Sequence, residues 1–190
     1  MGSALAIHKR IVAALFAASL LVQGAAAQQV PQDPALDGLF AELADPSNEA
    51  WGRAAADIQR IWSRSGSASM DLLLKRGEQA LDAGDLTLAI AHLTALTDHD
   101  PDFAEGWNAR ATAYYMRGDY GQALADIAQT LALQPRHWGA LAGLGAILDD
   151  MGETKKALAA YQASLALNPH QDDVTDAVAR LEGLQSGTSL

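Results

Sequence analysis

The chain has 190 residues, with 23 acidic and 13 basic side chains for a formal net charge of −10, and it contains no cysteine. The negative charge argues against binding to nucleic acid or to anionic membrane surfaces, because both need basic patches on the protein. The lack of cysteine excludes disulfides, thiolate metal sites and a lipid-modified cysteine.

Residues 1–27 have the features of a secretory signal peptide. A basic segment, residues 8–10, precedes a run of about 12 apolar residues, which is shorter than the ~20 that a membrane-spanning helix needs. The small residues up to Ala27 predict cleavage before Gln28. We therefore expect export across the inner membrane to a bacterial periplasm, with no membrane association after cleavage. The alternative is an uncleaved membrane anchor.

Residues 28–69 combine a short polar linker with two predicted helices. The first helix begins at Pro34, and the second is expected to begin at Asp45-Pro46, where the first is broken. Trp51 and Trp62 lie on one apolar stripe of the second helix. We interpret the pair as a helical hairpin that packs on the segment after it and caps that end. The alternatives are that the hairpin is mobile, or that it lies in the groove described below.

Residues 70–171 consist of three copies of one 34-residue unit, at 70–103, 104–137 and 138–171. A fixed period of this length is typical of stacked repeats, in which neighbouring units bury each other's apolar faces. Each unit predicts two helices, the first ended by a glycine and the second closed by a proline. The shared residues are glycine at position 15 (Gly84, Gly118, Gly152), alanine at position 20 (Ala89, Ala123, Ala157) and proline at position 32 (Pro101, Pro135, Pro169).

This pattern resembles the tetratricopeptide repeat (TPR) family, whose repeats are pairs of antiparallel helices. The second unit matches the family best, at Trp107, Ala111, Tyr114, Gly118, Asp119, Tyr120, Ala123, Leu131 and Pro135. The small residue at position 8 is expected to let the two helices of a unit approach closely. Trp107, at position 4, is expected to be a core anchor of the middle repeat.

One more helix is predicted over residues 172–184, where it would cover the last repeat as terminal caps must. Gly183 is expected to end it, leaving residues 185–190 as a disordered tail. The expected fold is therefore all-α. It is a TPR solenoid of three helix-turn-helix repeats, with an N-terminal helical hairpin, a C-terminal capping helix and no strands.

Position 7 is arginine in the first two units, Arg76 and Arg110, where the family has leucine. In the second unit the repeat register places Arg110 opposite Asp126, at position 23. The third unit has Leu144 and Ala160 at the same two positions, so the charge and its partner are lost together. The pattern predicts an ion pair within the repeat, with a functional anion site as the alternative.

The sequence contains no catalytic signature, neither a Gly-x-Ser-x-Gly elbow nor a Cys/His pair. His137 and His170 fall in successive inter-repeat turns, and packed helices are spaced too widely for the two to share one ion. Asp98-His99-Asp100 is interpreted as a set of solvated turn residues. We therefore expect no enzyme activity, no cofactor and no metal.

In TPR proteins, one face of the first helices lines a concave groove, and here positions 2, 5, 9, 12 and 13 would form it. Those residues are Asp71, Leu74, Glu78, Leu81 and Asp82; Glu105, Asn108, Thr112, Tyr115 and Met116; and Gly139, Ala142, Ala146, Asp149 and Asp150. The face is acidic at its edges and apolar in its middle. The expected partner is thus a protein or peptide that is apolar with flanking basic residues. The alternative is that these residues are merely solvated and that binding occurs elsewhere.

The main hypothesis is a secreted, periplasmic TPR adaptor that holds a partner protein or peptide in its groove. The chain resembles small bacterial envelope proteins in which a few TPRs follow a signal peptide. One alternative is a structural or assembly subunit that oligomerises through its helical edges. Another is a small catalytic or ligand-binding protein.

Overall fold

The computed structural model describes residues 34–187, so the predicted signal peptide and linker lie outside the described residues. Over that range the chain forms nine α-helices and no strand, which confirms the all-α prediction. Between residues 34 and 187 no helix combines the length and the hydropathy that crossing a bilayer requires. The helices are α1 Pro34–Ala44, α2 Trp51–Trp62, α3 Ala68–Asp82, α4 Leu86–His99, α5 Ala104–Arg117, α6 Tyr120–Leu133, α7 Trp138–Asp150, α8 Thr154–Leu167 and α9 Asp172–Gly187.

Helices α3 to α8 form three stacked pairs, α3/α4, α5/α6 and α7/α8. Gly84, Gly118 and Gly152 stand between the helices of each pair with φ of +73°, +84° and +76°. This left-handed backbone conformation strains any residue that has a Cβ, so glycine at position 15 is the residue that ends the first helix at least cost. The 34-residue period is therefore a period of backbone conformation as well as of sequence.

Within each pair the small residue at position 8 lies directly against the large one at position 24. A Cβ added to Gly77 would lie 2.5 Å from Leu93, and one added to Gly145 would lie 2.5 Å from Tyr161. The close approach of the two helices that we expected from the small residue is thus present, and even a methyl group would not fit in the outer repeats.

The predicted pair between Arg110 and Asp126 is confirmed. The arginine Nε donates to Oδ2 at 2.7 Å and Nη2 donates to Oδ1 at 2.9 Å. Nη1 also donates to Oγ1 of Thr97, at 2.7 Å, and Thr97 lies on α4 in the preceding repeat. The two charged side chains are only 11% and 6% exposed, so the pair is a buried link between repeats. Arg76 differs, because it is exposed and has no ion pair in the described part of the chain.

Trp107 is half-buried and lies outside the core clusters of residues 34–187, so the prediction that it anchors the core is wrong. Its Nε1 donates to the carbonyl of Pro101 at 2.8 Å, and the guanidinium of Arg110 lies 4.8 Å from its ring centroid. The buried residues of α5 include Gly106 and Ala109 instead. Because small residues take the contact with α4, the large side chain at position 4 is left at the margin.

The N-terminal hairpin, α1 and α2, does not cap the first repeat, and that interpretation is wrong. Its apolar side packs against Trp138, which begins α7, and against Leu167, which ends α8. The hairpin therefore lies along the edge of the array where one repeat passes into the next. Its second helix also begins later than expected, at Trp51, because residues 45–50 form turns. The hairpin members of this cluster are Leu36, Leu39, Phe40, Leu43, Trp51, Ala54, Ala55, Ile58, Ile61 and Trp62.

The outer side of the first repeat is suited to water without a cap. Positions 6, 7 and 10 of α7 pack towards the preceding repeat, and the corresponding residues of α3 are Lys75, Arg76 and Gln79. All three are exposed, and only Leu72 adds a large apolar side chain to this side, at 46% exposure. A largely polar terminal face is what an end repeat needs to stay in solution.

Helix α9 covers the third repeat as predicted, with Val174 and Leu181 buried in one cluster with Tyr161. It does not end at Gly183 but continues to Gly187, so the expected disordered tail is wrong for residues 185–187. Gly183 does not have the positive φ that stops a helix. A glycine without that conformation weakens a helix by about 1 kcal/mol relative to alanine but does not terminate it.

Candidate functional site

A small central depression of about 40 Å³ lies between α5 and α7, on the side of the array predicted to form the groove. Its walls carry small side chains, and a Cβ added to Gly143 would meet the floor residue Ile127 at 3.6 Å, an ordinary contact distance. Gly143 is half-buried and faces Ile127, so the backbone of α7 forms part of the wall of the depression at this point. The central depression is lined by Asn108, Ala111, Thr112, Tyr115, Ile127, Gly139, Ala140, Gly143 and Ile147.

The central depression contains four of the residues predicted for the groove: Asn108, Thr112, Tyr115 and Gly139. Our prediction missed Gly143 together with the depression's buried residues. A signal was present in the sequence, because Gly139 and Gly143 are four residues apart and so share one face of α7. Two glycines on the same face leave a gap between neighbouring first helices.

Three predicted groove residues pack instead against neighbouring helices. Leu74 is 2% exposed and packs in one core cluster with Ala109 and Ala113 of α5, so its assignment to the groove surface is wrong. Ala142 and Ala146 are half-buried against the cluster beneath α9. The physical reason is that position 5 faces the first helix of the next repeat, which removes Leu74 from solvent. Leu81 is half-buried against the same cluster as Leu74.

Asp71 was predicted as a groove carboxylate, but it holds the joint between α2 and α3. The backbone N–H and the hydroxyl of Ser65 donate to its Oδ1 at 2.8 and 2.7 Å. These two hydrogen bonds lower the pKa of Asp71, so the carboxylate stays ionised and bound to the joint.

The carboxylates at the α7 end of the groove already have partners. Arg180 of α9 donates to Asp149, and the hydroxyl of Tyr120 donates to Asp150 at 3.1 Å. Burial, with a smaller contribution from Asp150, raises the pKa of Tyr115 to about 12. Tyr115 is therefore a neutral phenol at physiological pH, available as a hydrogen-bonding aromatic wall of the central depression.

The carboxylates at the α3 end differ because they lack cations. Glu78 and Asp82 are exposed and have no ion pair within residues 34–187. Surrounding protein atoms raise the pKa of Glu78, and the neighbouring charges of Glu105 and Asp82 raise it further. Like charges crowded in this way favour the approach of a positive group from outside the chain. Met116, also predicted for the groove, is 53% exposed on α5.

A second cavity, of about 320 Å³, separates the groove from the hairpin. Asn108 and Gly139 line this cavity as well as the central depression, so the two adjoin. We call it the hairpin cavity, and its lining is Gln59, Trp62 and Ser63 on one side and Glu78, Glu105, Asn108, His137, Trp138 and Gly139 on the other. The sequence did not predict it, because nothing in the repeat pattern indicates where the hairpin lies.

The two tryptophans of α2 stack on two histidines in the inter-repeat turns. The rings of Trp62 and His137 stack with centroids 4.5 Å apart, and those of Trp51 and His170 stack 4.6 Å apart. His170 Nε2 also lies 3.2 Å from the carbonyl oxygen of Asp45. In the described part of the chain these histidines belong to no cluster of three or more side chains suited to a metal ion.

His137 also orders the start of α7. Its Nδ1 accepts the backbone N–H of Ala140 at 3.0 Å, and its Nε2 lies 3.0 Å from Oε2 of Glu105. Because Nδ1 accepts, the ring hydrogen is on Nε2 and is donated to Glu105. Glu105 is thereby tied to the hairpin side of the groove and is only 17% exposed.

The hairpin also contacts the array through an exposed salt bridge and through a tryptophan whose N–H lacks an acceptor. Arg136 Nη1 donates to Asp37 at 2.7 Å, and its guanidinium lies 4.2 Å from the centroid of the Phe40 ring. The salt bridge is exposed, with side chains 40% and 46% accessible, so it contributes only about 0–1 kcal/mol. Trp62 Nε1 is buried with no hydrogen-bond acceptor among the described residues, which costs about 1–3 kcal/mol.

Comparison with known proteins identifies the repeats. The tetratricopeptide repeat family matches residues 74–127 and 108–172, which together span just over half of the chain. A TPR repeat-containing protein of Rhizobium etli is 35% identical over 137 residues, which cover 70% of this chain and 66% of that relative. The aligned part is thus slightly less than two thirds of the relative's length.

Solved structures resemble the fold at lower identity. The first TPR of Spaghetti (RPAP3), bound to the HSP90 peptide SRMEEVD, is 22% identical with a TM-score of 0.61, covering 63% of this chain and 95% of that one. MamA is 21% identical with a TM-score of 0.59, covering 75% of this chain and 85% of its own. At these identities the likeness establishes the helical repeat fold alone.

Proposed function

Because the chain belongs to the tetratricopeptide repeat family, we propose that it is an adaptor that binds a partner protein or peptide in its concave groove. The observation that carries this proposal is the central depression, where Tyr115, the exposed Gly139 and the half-buried Gly143 form an apolar hollow between α5 and α7. The solved TPR structure in complex with an HSP90 peptide is a precedent for peptide binding by this fold.

The partner segment that we propose is apolar with flanking basic residues. The unpaired carboxylates of Glu78 and Asp82 lie at the α3 end of the groove, while at the α7 end Asp149 pairs with Arg180 and Asp150 accepts the hydroxyl of Tyr120. An acidic segment such as SRMEEVD would be repelled by this arrangement, and a lysine or arginine would be attracted. The apolar part of the segment would fill the central depression beside Tyr115.

Selection of random 12-residue displayed peptides on the purified protein tests the proposal, and we expect peptides with an apolar centre and lysine or arginine at the ends. Tyr115→Ala should weaken their binding at every salt concentration, since an aromatic anchor acts by burial. Glu78→Lys with Asp82→Lys should weaken it mainly at low salt, because ions screen exposed charges beyond about 8–10 Å.

Matched controls lie on other surfaces. Leu88→Ala removes an apolar side chain of 45% exposure from α4, and Asp176→Lys reverses an exposed charge on α9. Neither should change the affinity. If the selected peptides bind the Tyr115 and the Glu78/Asp82 variants as well as the unaltered protein, the binding site is not in this groove.

We also propose that the protein is exported to a bacterial periplasm. The support is the signal-peptide pattern of residues 1–27, with a basic start, a short apolar run and small residues before Gln28. N-terminal sequencing of protein from the periplasmic fraction should begin at Gln28. Recovery of a chain that still begins at Met1 in the membrane fraction would instead indicate the uncleaved anchor.

A further inference from the structure

We propose that the N-terminal hairpin is a built-in competitor for the groove. In the position seen in the structure it screens the α3 end, and a partner that occupies the whole groove has to move it aside. The screening is a property of the chain alone, whereas the competition with a partner rests on the proposed function. The proposal follows from where the hairpin lies, how it is held and what its departure would expose.

The hairpin lies next to the surface that a partner segment would cross. Trp62 and Gln59 form one wall of the hairpin cavity, and Glu78, Asn108 and Gly139 form part of the opposite wall. Asn108 and Gly139 also line the central depression. A segment that runs from the central depression towards the unpaired carboxylates of α3 therefore meets the end of α2.

The repeats do not need the hairpin for their own cores. The clusters that hold α3 to α9 together contain no hairpin residue. The hairpin's own cluster takes only Trp138 and Leu167 from the array. Undocking would therefore expose Trp138, the half-buried Leu167 and the rings of His137 and His170, and would leave the core clusters of the stacked repeats packed.

The docked state is held by contacts that a competitor can replace. The salt bridge between Arg136 and Asp37 is exposed, and Trp62 Nε1 is buried without an acceptor among residues 34–187. Release of the hairpin lets water accept that N–H, which offsets part of the lost stacking. The joint to α3 contains Gly66 with φ of +86°, and no atom lies within 4 Å of the position its Cβ would take. Bending at this glycine meets no steric barrier, but it breaks the two hydrogen bonds from Ser65 to Asp71, which therefore favour the docked state.

The lack of native cysteine allows a direct test of the screening in the full chain. Asn108→Cys places a thiol in the hairpin cavity, at a half-buried position of α5 opposite Gln59, Trp62 and Ser63. The thiol is alkylated with a maleimide that carries a bulky polyethylene glycol chain. The rate of alkylation measures the fraction of molecules in which the hairpin is undocked. We expect Arg136→Glu to raise this rate about two- to fivefold, the range that loss of an exposed pair supports.

Two further variants make the outcome decisive. The double change Asp37→Lys with Arg136→Glu restores the pair with reversed charges but not the contact of the guanidinium with the Phe40 ring, so it should lower the rate below that of Arg136→Glu alone. Trp51→Ala removes the stack on His170 at the other end of the hairpin and should also raise the rate. As a control, a thiol from Met116→Cys is outside the hairpin cavity and should react equally in all backgrounds.

The inference is overturned if neither Arg136→Glu nor Trp51→Ala speeds alkylation at residue 108, or if the charge reversal does not lower the rate below that of Arg136→Glu alone. Peptides from the displayed selection should bind the Arg136→Glu variant tighter by the same factor as the alkylation rate rises. If alkylation accelerates but peptide affinity does not change, the hairpin screens the groove and the proposed peptide site is wrong. The two failures are therefore distinguishable.

Discussion

The two junctions between repeats use the same positions with different chemistry. In the first junction the buried guanidinium of Arg110 bonds Asp126 of its own repeat and Thr97 of the preceding one. In the second junction the equivalent position is Leu144, and Ile147 of the same helix is 1% exposed in an apolar cluster. The repeat register determines which positions meet, but it leaves open whether charge or apolar surface fills them.

The difference matters because the two junctions should fail in different ways. A buried ion pair contributes little net stability compared with apolar side chains of similar volume, yet removal of one partner leaves an uncompensated charge. At an apolar junction there is no such asymmetry, because the free energy of unfolding falls in proportion to the side-chain volume that is removed. The repeats support one another, so damage at either junction should affect the unfolding of the whole array.

The largest effect is expected from Asp126→Ala, which leaves Arg110 buried without its carboxylate. The free energy of unfolding should fall by about 3–5 kcal/mol, as measured by urea denaturation. Asp176→Ala on the exposed side of α9 is the matched control and should change it little. A loss no greater than that of the control would show that the ion pair is solvated and that the first junction is not a buried charged one.

Ile147→Ala probes the apolar junction and should cost about 2–5 kcal/mol, because Ile147 is buried with Ala140 and Ile127. The same urea measurement applies, with Met151→Ala as a control at 50% exposure one turn further on. A cost well below 2 kcal/mol would mean that the neighbouring side chains of the second junction move into the space left by the removed atoms of Ile147.

Trp107→Ala should have a smaller effect, about 1–2 kcal/mol, because only part of the side chain is removed from water. The indole lies beside Arg110 at the first junction but outside the core clusters of residues 34–187. Thermal and urea unfolding would both measure the change. A loss comparable to that of Asp126→Ala would restore Trp107 as a core anchor and contradict its half-exposed position.

The smallest effect is expected from the double change Arg110→Leu with Asp126→Ala, which gives the second repeat the residue types of the third. Stability should stay within about 1 kcal/mol of the unaltered protein, because apolar replacement of a buried pair is often neutral or better. Thr97 keeps a partner, since its hydroxyl also lies 3.2 Å from the carbonyl of Thr94. If the double variant is as unstable as Asp126→Ala alone, the first junction cannot be converted to the apolar type.

The fold inside the repeats was predictable because the helix ends and the close contacts within each helical pair recur at the same repeat positions. The glycine at position 15 was predicted to end the first helix of each unit, and in all three units it adopts the left-handed conformation that does so. The joint presence and joint absence of charge at positions 7 and 23 predicted the pair of Arg110 with Asp126. The candidate site was predicted less well, because position 5 is shared between the groove and the next first helix. Only the packed structure shows that Leu74 is buried against that helix.

The sequence by itself determined the three helical pairs, their register and the covering helix α9, since these depend on residues near one another along the chain. The tertiary structure alone decided where the hairpin lies. Its contacts occur once and join distant residues, such as Asp37 with Arg136 and Asp45 with His170, 99 and 125 positions apart. No periodic pattern can encode a single pairing at that separation, and the choice depends on which exposed apolar surface is left. Here that surface is Trp138 at an inter-repeat turn, because the first repeat already presents a largely polar face to water.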